Sequence, residues 1–453
     1  MNLTLGELYE VFGKKGKVSA KKVSSITADS RKVKKGGVFF ALIADNDGHK
    51  YAAGAIKAGA AAVVVQKLIP GVDEALQVLV QDTKDALLKL AGYYFKKFKK
   101  LKVAAITGSN GKTTTKEMLG ALLSARYRVH KSEKSFNNYL GLPLTIFGLK
   151  AGHNMLILEI GMNHEGEIKK LVSAVTIDAA IITNIGRAHI GNFKDKEEGI
   201  AKAKAEIMEG VKKGGLLIIN NEDKFGGFLR KKASVKKLKV LAFGTGAKAD
   251  TRIGEYQITG SGSQFKVSTV KEELKMKLKG LHNIYNASAA ITAARHFKVS
   301  GQAIKKALLK FEMEGFMRFE EVKLANGITL INDCYNANPD SFAASIETLK
   351  KAGHKNLVVL MGEMLELGPL ASRLHREVGS MFAGLEIKKL FIYGGNACQV
   401  ERGYGREAAV YNDREKLKAD LQSYIKPGDT LFVKGSRGNK LEEITAGLGS
   451  VKV

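Results

Sequence analysis

The sequence predicts an α/β protein of several domains with parallel sheets. Short apolar runs alternate with longer helical patterns along the whole chain, as expected where strands alternate with the helices that cover them. The 453 residues correspond to about two to four domains, and the hydrophobic fraction of 45% is sufficient for several cores. The 49 glycines against 5 prolines favour many tight turns between strands and helices.

Composition excludes several classes of protein. The hydrophobic content excludes a disordered chain, and two cysteines, Cys334 and Cys398, cannot form a disulfide framework and suit a reducing compartment. No apolar run approaches the roughly 20 residues that cross a bilayer. At the N-terminus, Leu5, Leu8 and Val11 fit an amphipathic helix rather than a signal peptide. We therefore expect a soluble, cytoplasmic protein without a transmembrane segment.

The chain divides into three blocks, which we predict to be domains. Residues 1–98 contain the β-rich runs GGVFFALIA and AAAVVVQ, and the segment YYFKKFKKLK interrupts that pattern. Residues 99–311 begin with the stronger strand VAAIT and continue with strands and helices. Residues 312–453 hold four apolar runs, GITLIND, NLVVLMG, KLFIYGG and DTLFVKG.

The clearest chemical signal is the segment VAAITGSNGKTTTKEML at 103–119. An apolar strand runs into a glycine-rich loop and then a helical pattern, so backbone N–H groups and a helix N-terminus would surround an anion. A lysine in such a loop contacts the β- and γ-phosphates, and the next hydroxyl binds Mg²⁺. The sequence therefore predicts an ATP–Mg²⁺ site formed by Gly108, Ser109, Asn110, Gly111, Lys112, Thr113 and Thr114.

Two later strands end in polar side chains. Glu159 closes the run MLILE, and the run AAIIT leads into a turn that carries His189. Ligands of open parallel sheets bind beyond the carboxyl ends of the strands, so these residues could converge with Lys112 on one phosphate–Mg²⁺ site. Carboxylate and hydroxyl oxygens are natural Mg²⁺ ligands, whereas an imidazole is less usual, and His189 could equally be an ordinary loop residue.

The residues by themselves do not identify the substrate. No Ser/His/Asp or Cys/His nucleophile set stands out, and there is no CxxC or HExxH motif for zinc. From the residues alone, the prediction is an ATP-dependent enzyme of unknown substrate.

A series of motifs in a fixed order resembles the Mur ligases of peptidoglycan synthesis. They are GSNGKTT, LEIGMNHEGEI, TNIGRAHIGNF, GIAKAKAEI, LHNIYNA, MRFE and INDCYNANPDS. Within that family, FNNYLGLPLT, YNANPDS, GEMLELG and VKGSRG resemble the type that adds D-alanyl-D-alanine to UDP-N-acetylmuramoyl-tripeptide. The resemblance implies a UDP-substrate-binding N-terminal α/β domain, a central P-loop ATPase domain and a C-terminal Rossmann-like domain. It also implies ligation through an acyl phosphate, with ATP converted to ADP and phosphate.

The resemblance implies roles for individual residues near the phosphates. Lys112 and Thr113 would hold phosphate and Mg²⁺, with Glu159 and His189 as further metal ligands. The resemblance implies two Mg²⁺ ions in this site. Lys204 matches the family's carbamylated lysine, which would supply an anionic oxygen to Mg²⁺. On a helix, a lysine is usually a solvated cation, and Lys202 is the alternative, although the spacing to Glu206 favours Lys204.

Further matches concern ATP and the other substrates. Asn283, Asn286 and Arg318 match nucleotide-binding residues, and Asp333 matches a residue that orients ATP or the amine, although it could simply cap the following turn. The candidates for the dipeptide pocket are Tyr335, Asn336, Asn338 and Asp340. The candidates for the uridine nucleotide and the muramoyl peptide are Asp29, Ser30, Arg31, Asp47, Gly48, His49, Phe136, Asn137 and Asn138.

The net charge of +28 exceeds what these substrates require. Basic clusters occur at 14–22, 31–37, 96–102 and 230–239, and we interpret most of them as solvated charge that can attract anionic substrates. Attraction to a polyanion or an anionic membrane is the alternative. A nucleic-acid-binding P-loop ATPase is the rival function from another class. It would need aromatic residues interleaved with the basic ones, which only YYFKKFKK offers, and this segment also fits an amphipathic helix.

We expect a monomer without a specific nucleic-acid partner. Among ligases, the rival function is that of another Mur-type or polyglutamate-type enzyme.

Overall fold

A computed structural model describes residues 1–14, 20–44, 46–194, 196–313 and 315–448. The chain forms three sheets, one after another in sequence. Most of the basic cluster at 14–22 lies outside the described residues. No helix in the described ranges has the length and apolar character needed to cross a membrane.

The first sheet has four parallel strands in the order β1-β2-β3-β4. The predicted N-terminal helix is present and begins with a capping box in which Thr4 and Glu7 exchange hydrogen bonds. The elements are α1 (Leu5–Val11), β1 (Ile26–Thr27), β2 (Val38–Phe40), α2 (Ala52–Lys57), β3 (Ala62–Val65), β4 (Gln77–Leu79) and α3 (Thr83–Phe95). Helix α3 ends at Phe95, so the interpretation of YYFKKFKK as a helix is wrong for residues 96–100.

The second sheet has nine strands in the order β13-β12-β11-β10-β9-β8-β5-β7-β6. Its strands are β5 (Lys102–Thr107), β6 (Val129–Lys131), β7 (Met155–Glu159), β8 (Ile177–Ile182), β9 (Val211–Asn220), β10 (Lys239–Gly244), β11 (Thr251–Thr259), β12 (Gly262–Val267) and β13 (Val270–Met276). Its helices are α4 (Lys112–Ser124), α5 (Gly141–Phe147), α6 (Glu167–Val172), α7 (Glu197–Ala205), α8 (Gly226–Val235), α9 (Leu281–His296) and α10 (Gly301–Leu309). Strands β11 to β13 pair antiparallel, because tight turns join them directly without a crossover helix.

Both faces of this sheet are buried. Along β5, Val103 and Ala105 belong to one core cluster, whereas Ala104 and Ile106 belong to the cluster on the opposite face. Helices α4 and α9 pack together on the second of these faces. A strand covered on both sides reads as a continuous apolar run, which is how VAAIT appears in the sequence.

The third sheet has six strands in the order β14-β15-β19-β16-β17-β18. Its strands are β14 (Glu320–Lys323), β15 (Thr329–Asp333), β16 (Leu357–Gly362), β17 (Ile387–Tyr393), β18 (Ala409–Tyr411) and β19 (Thr430–Lys434). Its helices are α11 (Pro339–Ala352), α12 (Ala371–Phe382), α13 (Ala397–Tyr404), α14 (Arg414–Tyr424) and α15 (Leu441–Thr445). The edge strand β14 is antiparallel to β15, and the other pairs are parallel, so the predicted α/β class with mainly parallel sheets is confirmed.

Candidate active site

A cavity of about 610 Å³ lies where the carboxyl ends of the central strands face the third sheet. Strands β7, β5 and β8 are neighbours, so Glu159, the phosphate loop and the turn after β8 reach the same edge. The predicted residues that line this cavity are Ser109, Asn110, Gly111, Lys112, Thr114, Asn137, Glu159, His189, Asn283, Asn286, Arg318, Asp333, Tyr335, Asn336 and Asp340.

The phosphate loop requires glycine at both of its turns. Gly108 and Gly111 have φ values of 151° and 80°. A Cβ on Gly108 would lie 1.8 Å from Thr183 Oγ1, and one on Gly111 would lie 2.2 Å from Asn286 Oδ1. Thr183 Oγ1 also donates to the carbonyl of Asn110 at 2.6 Å, which ties the loop to β8. Side chains in the place of these glycines would therefore displace the loop's neighbours.

The side chain of Lys112 folds back into the phosphate loop that precedes it in the chain. Its Nζ donates to the carbonyls of Gly108 at 2.7 Å and Ser109 at 3.3 Å. Burial lowers the pKa of Lys112 to about 8, the carboxylate of Glu159 opposes that shift, and Arg318 reinforces it. The ammonium group is therefore held where an anion would raise its pKa again.

Arg318 connects the third block to the phosphate loop. Its Nη2 donates to Thr113 Oγ1 at 2.9 Å, and its guanidinium carbon lies 4.3 Å from the centre of the Tyr335 ring. The Nε of Arg318 is buried and has no hydrogen-bond partner among the residues that the structure describes. An acceptor that enters the cavity would satisfy this donor.

Glu159 is almost fully buried at the end of β7. Asn137 Nδ2 donates to its Oε1 at 3.0 Å. Oε2 accepts no hydrogen bond from the described part of the chain and lies 3.5 Å from Lys116 Nζ. Sequence reasoning missed Lys116, although it lies one helical turn after Lys112 on α4. The structure thus supplies a buried oxygen that a cation could use, beside a lysine that compensates its charge.

His189 adopts the left-handed conformation with φ of 62°, and its Nδ1 contacts the carboxylate of Glu366 in the third block. Side-chain hydrogen bonding to His189 lowers the pKa of Glu366, while burial opposes that shift. In the part of the chain that the structure describes, no three His, Cys, Asp or Glu side chains gather as a metal cluster. The assignment of His189 as a metal ligand stays a prediction.

Lys204 lies on the last turn of α7 and is 2% exposed, whereas Lys202 is exposed. Among the described residues its ammonium group has no hydrogen bond or ion pair. Burial, followed by the charge of Lys112, holds the pKa of Lys204 well below its usual range. Lys204 does not line the cavity, and the charge of Lys112 is close enough to contribute to the lowered pKa of this lysine.

The helix α9 brings its two predicted amides together. Asn286 Nδ2 donates to Asn283 Oδ1 at 3.2 Å, and Thr115 Oγ1 donates to Asn286 Oδ1 at 3.4 Å. Both amides line the cavity beside the phosphate loop.

Asp333 is held by three donors from different elements, so its interpretation as a cap of the following turn is wrong. It accepts from the Phe319 amide at 3.1 Å, from Ser345 Oγ at 2.7 Å and from Lys434 Nζ at 2.5 Å. Lys434, at the end of β19, was not predicted. Desolvation lowers the pKa of the nearby, half-buried His282 to about 4, so this ring is neutral at pH 7.

Polar pairs close the cavity between the second and third blocks. The side-chain amides of Asn110 and Asn338 exchange two hydrogen bonds, at 2.8 and 3.3 Å. Arg187 Nε donates to Asp340 Oδ1 at 2.9 Å, and its Nη1 donates to the carboxylate of Glu377 at 2.8 Å. Arg187 was also missed, although its position in the motif TNIGRAH was a signal.

The remaining predicted residues do not line the cavity. In the first block these are Asp29, Ser30, Arg31, Asp47, Gly48 and His49, in the second block Gly108, Thr113, Phe136, Asn138 and Lys204, and in the third block Asn338.

Two of the first-block residues and one loop residue have clear structural roles. Arg31 is exposed and pairs with Asp29 through two hydrogen bonds, at 2.9 and 3.0 Å. His49 is buried, with Nδ1 2.6 Å from Asp47 and Nε2 accepting from the Gln66 amide at 2.8 Å. Asn138 accepts from the first backbone amides of α5.

Comparison with known proteins identifies the family of this chain. Residues 106–294 match the Mur ligase middle domain, and residues 317–437 match the Mur ligase, glutamate ligase domain. A UDP-N-acetylmuramoyl-tripeptide–D-alanyl-D-alanine ligase of Bacillus subtilis is 36% identical, over 94% of this chain and 93% of the relative. The corresponding Escherichia coli enzyme is 30% identical, over 99% of this chain and 98% of its own length.

Solved structures agree with these relatives. A crystal structure of MurF from Acinetobacter baumannii superposes with a TM-score of 0.90 at 29% identity and covers 99% of both chains. MurF ligase from Thermotoga maritima in complex with ADP gives 0.81 at 26% identity, covering 94% of this chain and 97% of that one. The chain belongs to the Mur ligase family, with the UDP-N-acetylmuramoyl-tripeptide–D-alanyl-D-alanine ligases as its relatives over nearly its whole length.

Proposed function

We propose that this ATP-dependent ligase joins the terminal carboxylate of UDP-N-acetylmuramoyl-tripeptide to the amine of D-alanyl-D-alanine in peptidoglycan synthesis. The observation that carries the proposal is the shared cavity. The phosphate loop of the second block and Arg318, Asp333 and Tyr335 of the third block line one space, and Arg318 contacts Thr113 directly. Transfer of a phosphoryl group from ATP to a second bound substrate needs both molecules in one enclosed site.

The chemistry explains why the cavity carries fixed positive charge. A carboxylate is a poor electrophile because its charge repels an amine and oxide leaves badly. The carboxylate oxygen therefore attacks the γ-phosphorus, and the bond from that phosphorus to the ADP oxygen breaks. The amine then attacks the acyl carbon, and an N–C bond forms. Phosphate leaves with the C–O bond pair, and the proton lost by the nitrogen passes to the released phosphate or to solvent. Lys112 and Arg318 stabilise the phosphoryl oxygens in the first step.

Magnesium fits the residues at the loop. The buried oxygen of Glu159 that accepts no hydrogen bond and the hydroxyl of Thr113 are the hard oxygen donors that Mg²⁺ requires. When bound, Mg²⁺ neutralises charge on the transferring phosphoryl group. His189 is the further candidate ligand.

Carbamylation of Lys204 fits the state of its side chain. Burial lowers the pKa of Lys204, which favours the free amine that reacts with CO₂. The nitrogen attacks the carbon of CO₂, an N–C bond forms as one C=O π bond opens onto oxygen, and the proton lost by the nitrogen passes to solvent, so the carbamate carries one negative charge. That charge would face Lys112, whose proximity now destabilises the ammonium form of Lys204. The carbamate oxygens would then serve Mg²⁺ together with Glu159.

The remaining roles follow the motifs. Asn283 and Asn286 contact the nucleotide, and Asp333, Tyr335 and Asn336 position the incoming dipeptide amine. We assign the uridine nucleotide to the first block, which we take as residues 1–98, followed by an ATP domain at 99–311 and a C-terminal domain at 312–453.

Phosphate release with each candidate amine tests the proposal. We expect ATP cleavage in bulk only when UDP-N-acetylmuramoyl-tripeptide and D-alanyl-D-alanine are both present, because discharge of the acyl phosphate needs the amine. Diaminopimelate, lysine and glutamate are the matched controls for other Mur-type and polyglutamate-type ligases. ATP turnover that DNA or RNA stimulates, without a response to the dipeptide, would contradict the ligase assignment.

A further inference from the structure

The amino ends of the parallel strands in the central sheet form a line of basic residues. Lys102 is the first residue of β5, Arg128 directly precedes β6, Lys212 is the second residue of β9, and Lys239 is the first residue of β10. These strands are parallel, so their first residues lie on the same edge. We call this set, together with Lys99, Lys100 and Lys150, the basic edge.

A groove of about 680 Å³ opens at one end of the basic edge. Lys99, Lys100, Arg128 and Lys150 line it, are exposed, and have no side-chain hydrogen bond or ion pair within the described ranges. None of the lining residues is a carboxylate. Leu149 and other apolar side chains form its floor. The segment 96–102, which the sequence presents as one basic cluster among several, thus combines with basic residues from two distant loops.

Away from the groove, carboxylates near the basic edge are paired with lysines. Asp178 contacts Lys212, and Glu209 lies 2.5 Å from Lys236. At the groove end, Lys97 contacts Glu7, whereas its neighbours Lys99 and Lys100 have no carboxylate partner within the described ranges. The positive field is therefore strongest at the groove.

The basic edge is separate from the active site. The phosphate loop follows the carboxyl end of β5, whereas Lys102 opens that strand, so six residues of extended chain separate the two. At about 3.3 Å per residue this is roughly 17 to 20 Å. A ligand on the basic edge leaves the cavity of the ATP site open.

The shape and composition of the basic edge favour a broad anionic surface. From β6 to β10 the edge spans six neighbouring strands, or roughly 24 Å at about 4.8 Å per strand. Val235, at the end of α8 and beside Lys236 and Lys237, is an apolar side chain left 79% exposed. Tyr94 of the groove is 1% exposed and packs edge-on against Phe98, so it offers no ring face for stacking bases.

We propose that the basic edge docks the enzyme onto anionic phospholipid membranes, with the groove receiving phosphate head groups. Basic side chains at such a surface act additively through the negative surface potential and are screened by salt. The contact is peripheral and reversible, and it leaves the ATP site facing away from the lipid. This docking proposal does not depend on which amine the ligase accepts.

Co-sedimentation with vesicles tests this docking. The full-length enzyme should bind phosphatidylglycerol–phosphatidylcholine vesicles but not pure phosphatidylcholine at about 0.15 M salt, and weakly at high salt. The variant Lys99→Glu/Lys100→Glu/Lys150→Glu should bind at least a hundredfold more weakly, because each basic residue contributes roughly fivefold at an anionic surface. Its ATP-dependent ligation in vesicle-free solution should stay within about twofold of wild type, which also shows that it folds.

The matched control carries the same change of charge in the third block. Lys323→Glu/Lys355→Glu/Lys416→Glu alters three exposed lysines and should bind vesicles within about threefold of wild type. Equal loss in both variants would mean that net charge, not the basic edge, attracts the enzyme, and would overturn the proposal. Equal binding to phosphatidylcholine, no binding to either vesicle, or tighter binding to duplex or single-stranded DNA at the same salt would overturn it as well.

Discussion

Substitutions of Lys204 can distinguish a catalytic role of its proposed carbamate from a structural role of its side chain in packing. The side chain is 2% exposed and its amine has no partner in the described residues, so Lys204→Met keeps most of the buried volume and removes only the amine. We expect Lys204→Met to be at least as stable as wild type, because an unpartnered buried polar group opposes folding. The same substitution cannot form a carbamate, so it should lower turnover.

The size of the loss follows from the charge that disappears. The proposed carbamate would place an anion beside Lys112, and its loss would remove one charged group from a site that handles transferring phosphate. Removal of a single charge-stabilising group costs about 3 kcal/mol of barrier, or roughly a hundredfold in kcat. ATP should still bind, because the loop contacts of Lys112 with Gly108 and Ser109 do not involve Lys204.

Three measurements check this prediction. Turnover should fall for Lys204→Met and Lys204→Ala but not for Lys202→Ala, whose lysine is exposed. Acetate or another short carboxylic acid should restore part of the activity of Lys204→Ala, since it can occupy the gap left by the carbamate. ¹³C NMR with ¹³CO₂ should show a carbamate signal in wild type and Lys202→Ala and none in Lys204→Met. An essential Lys202 with a dispensable Lys204 would refute the reasoning.

Three further results are expected. Nucleotide binding at pH 8 to 9 should be accompanied by proton uptake, because the pKa of Lys112 is about 8 in the free enzyme and bound phosphate favours its ammonium form. Calorimetry in buffers of different ionisation enthalpy measures this uptake. Proton uptake that persists in Lys112→Met would contradict the prediction. Asp333→Asn should lower the free energy of unfolding by about 3 to 5 kcal/mol, because it leaves Lys434 buried without its carboxylate partner. When Lys434→Met is added, urea unfolding should show that most of this loss is recovered. A loss below about 1 kcal/mol for Asp333→Asn would argue against the pairing. Arg318→Ala should reduce kcat by roughly a hundredfold without unfolding the protein, and Arg318→Lys should keep only part of the wild-type kcat. Equal kcat values for wild type and both variants would exclude a role of Arg318 in phosphoryl transfer.

Local signals predicted much of the ATP site. The glycines of the phosphate loop, the lysine after them and the carboxylate that closes β7 are each readable within a few residues, since tight turns and strand ends are properties of short segments. The parallel order of β7, β5 and β8 then brings Lys112 and Glu159 to one edge, as the pattern of strands had suggested. The motifs supplied the family and, through it, Lys204 and Arg318.

Tertiary structure alone decided the contacts between distant segments. The pairing of Arg187 with Asp340 and Glu377, and of His189 with Glu366, depends on how the third block closes over the second, which no local pattern encodes. Helix packing decided that Lys204 is buried while Lys202, two residues earlier, is exposed.

The basic edge shows the same division. The sequence determined the charge of Lys99, Lys100, Arg128 and Lys150, but those residues come from three separate segments of the chain. Only the common direction of the parallel strands places them at one end of the sheet, opposite the phosphate loop. A side chain's charge is a property of the residue, whereas the field that several charges create together depends on the distances between them, and folding fixes those distances.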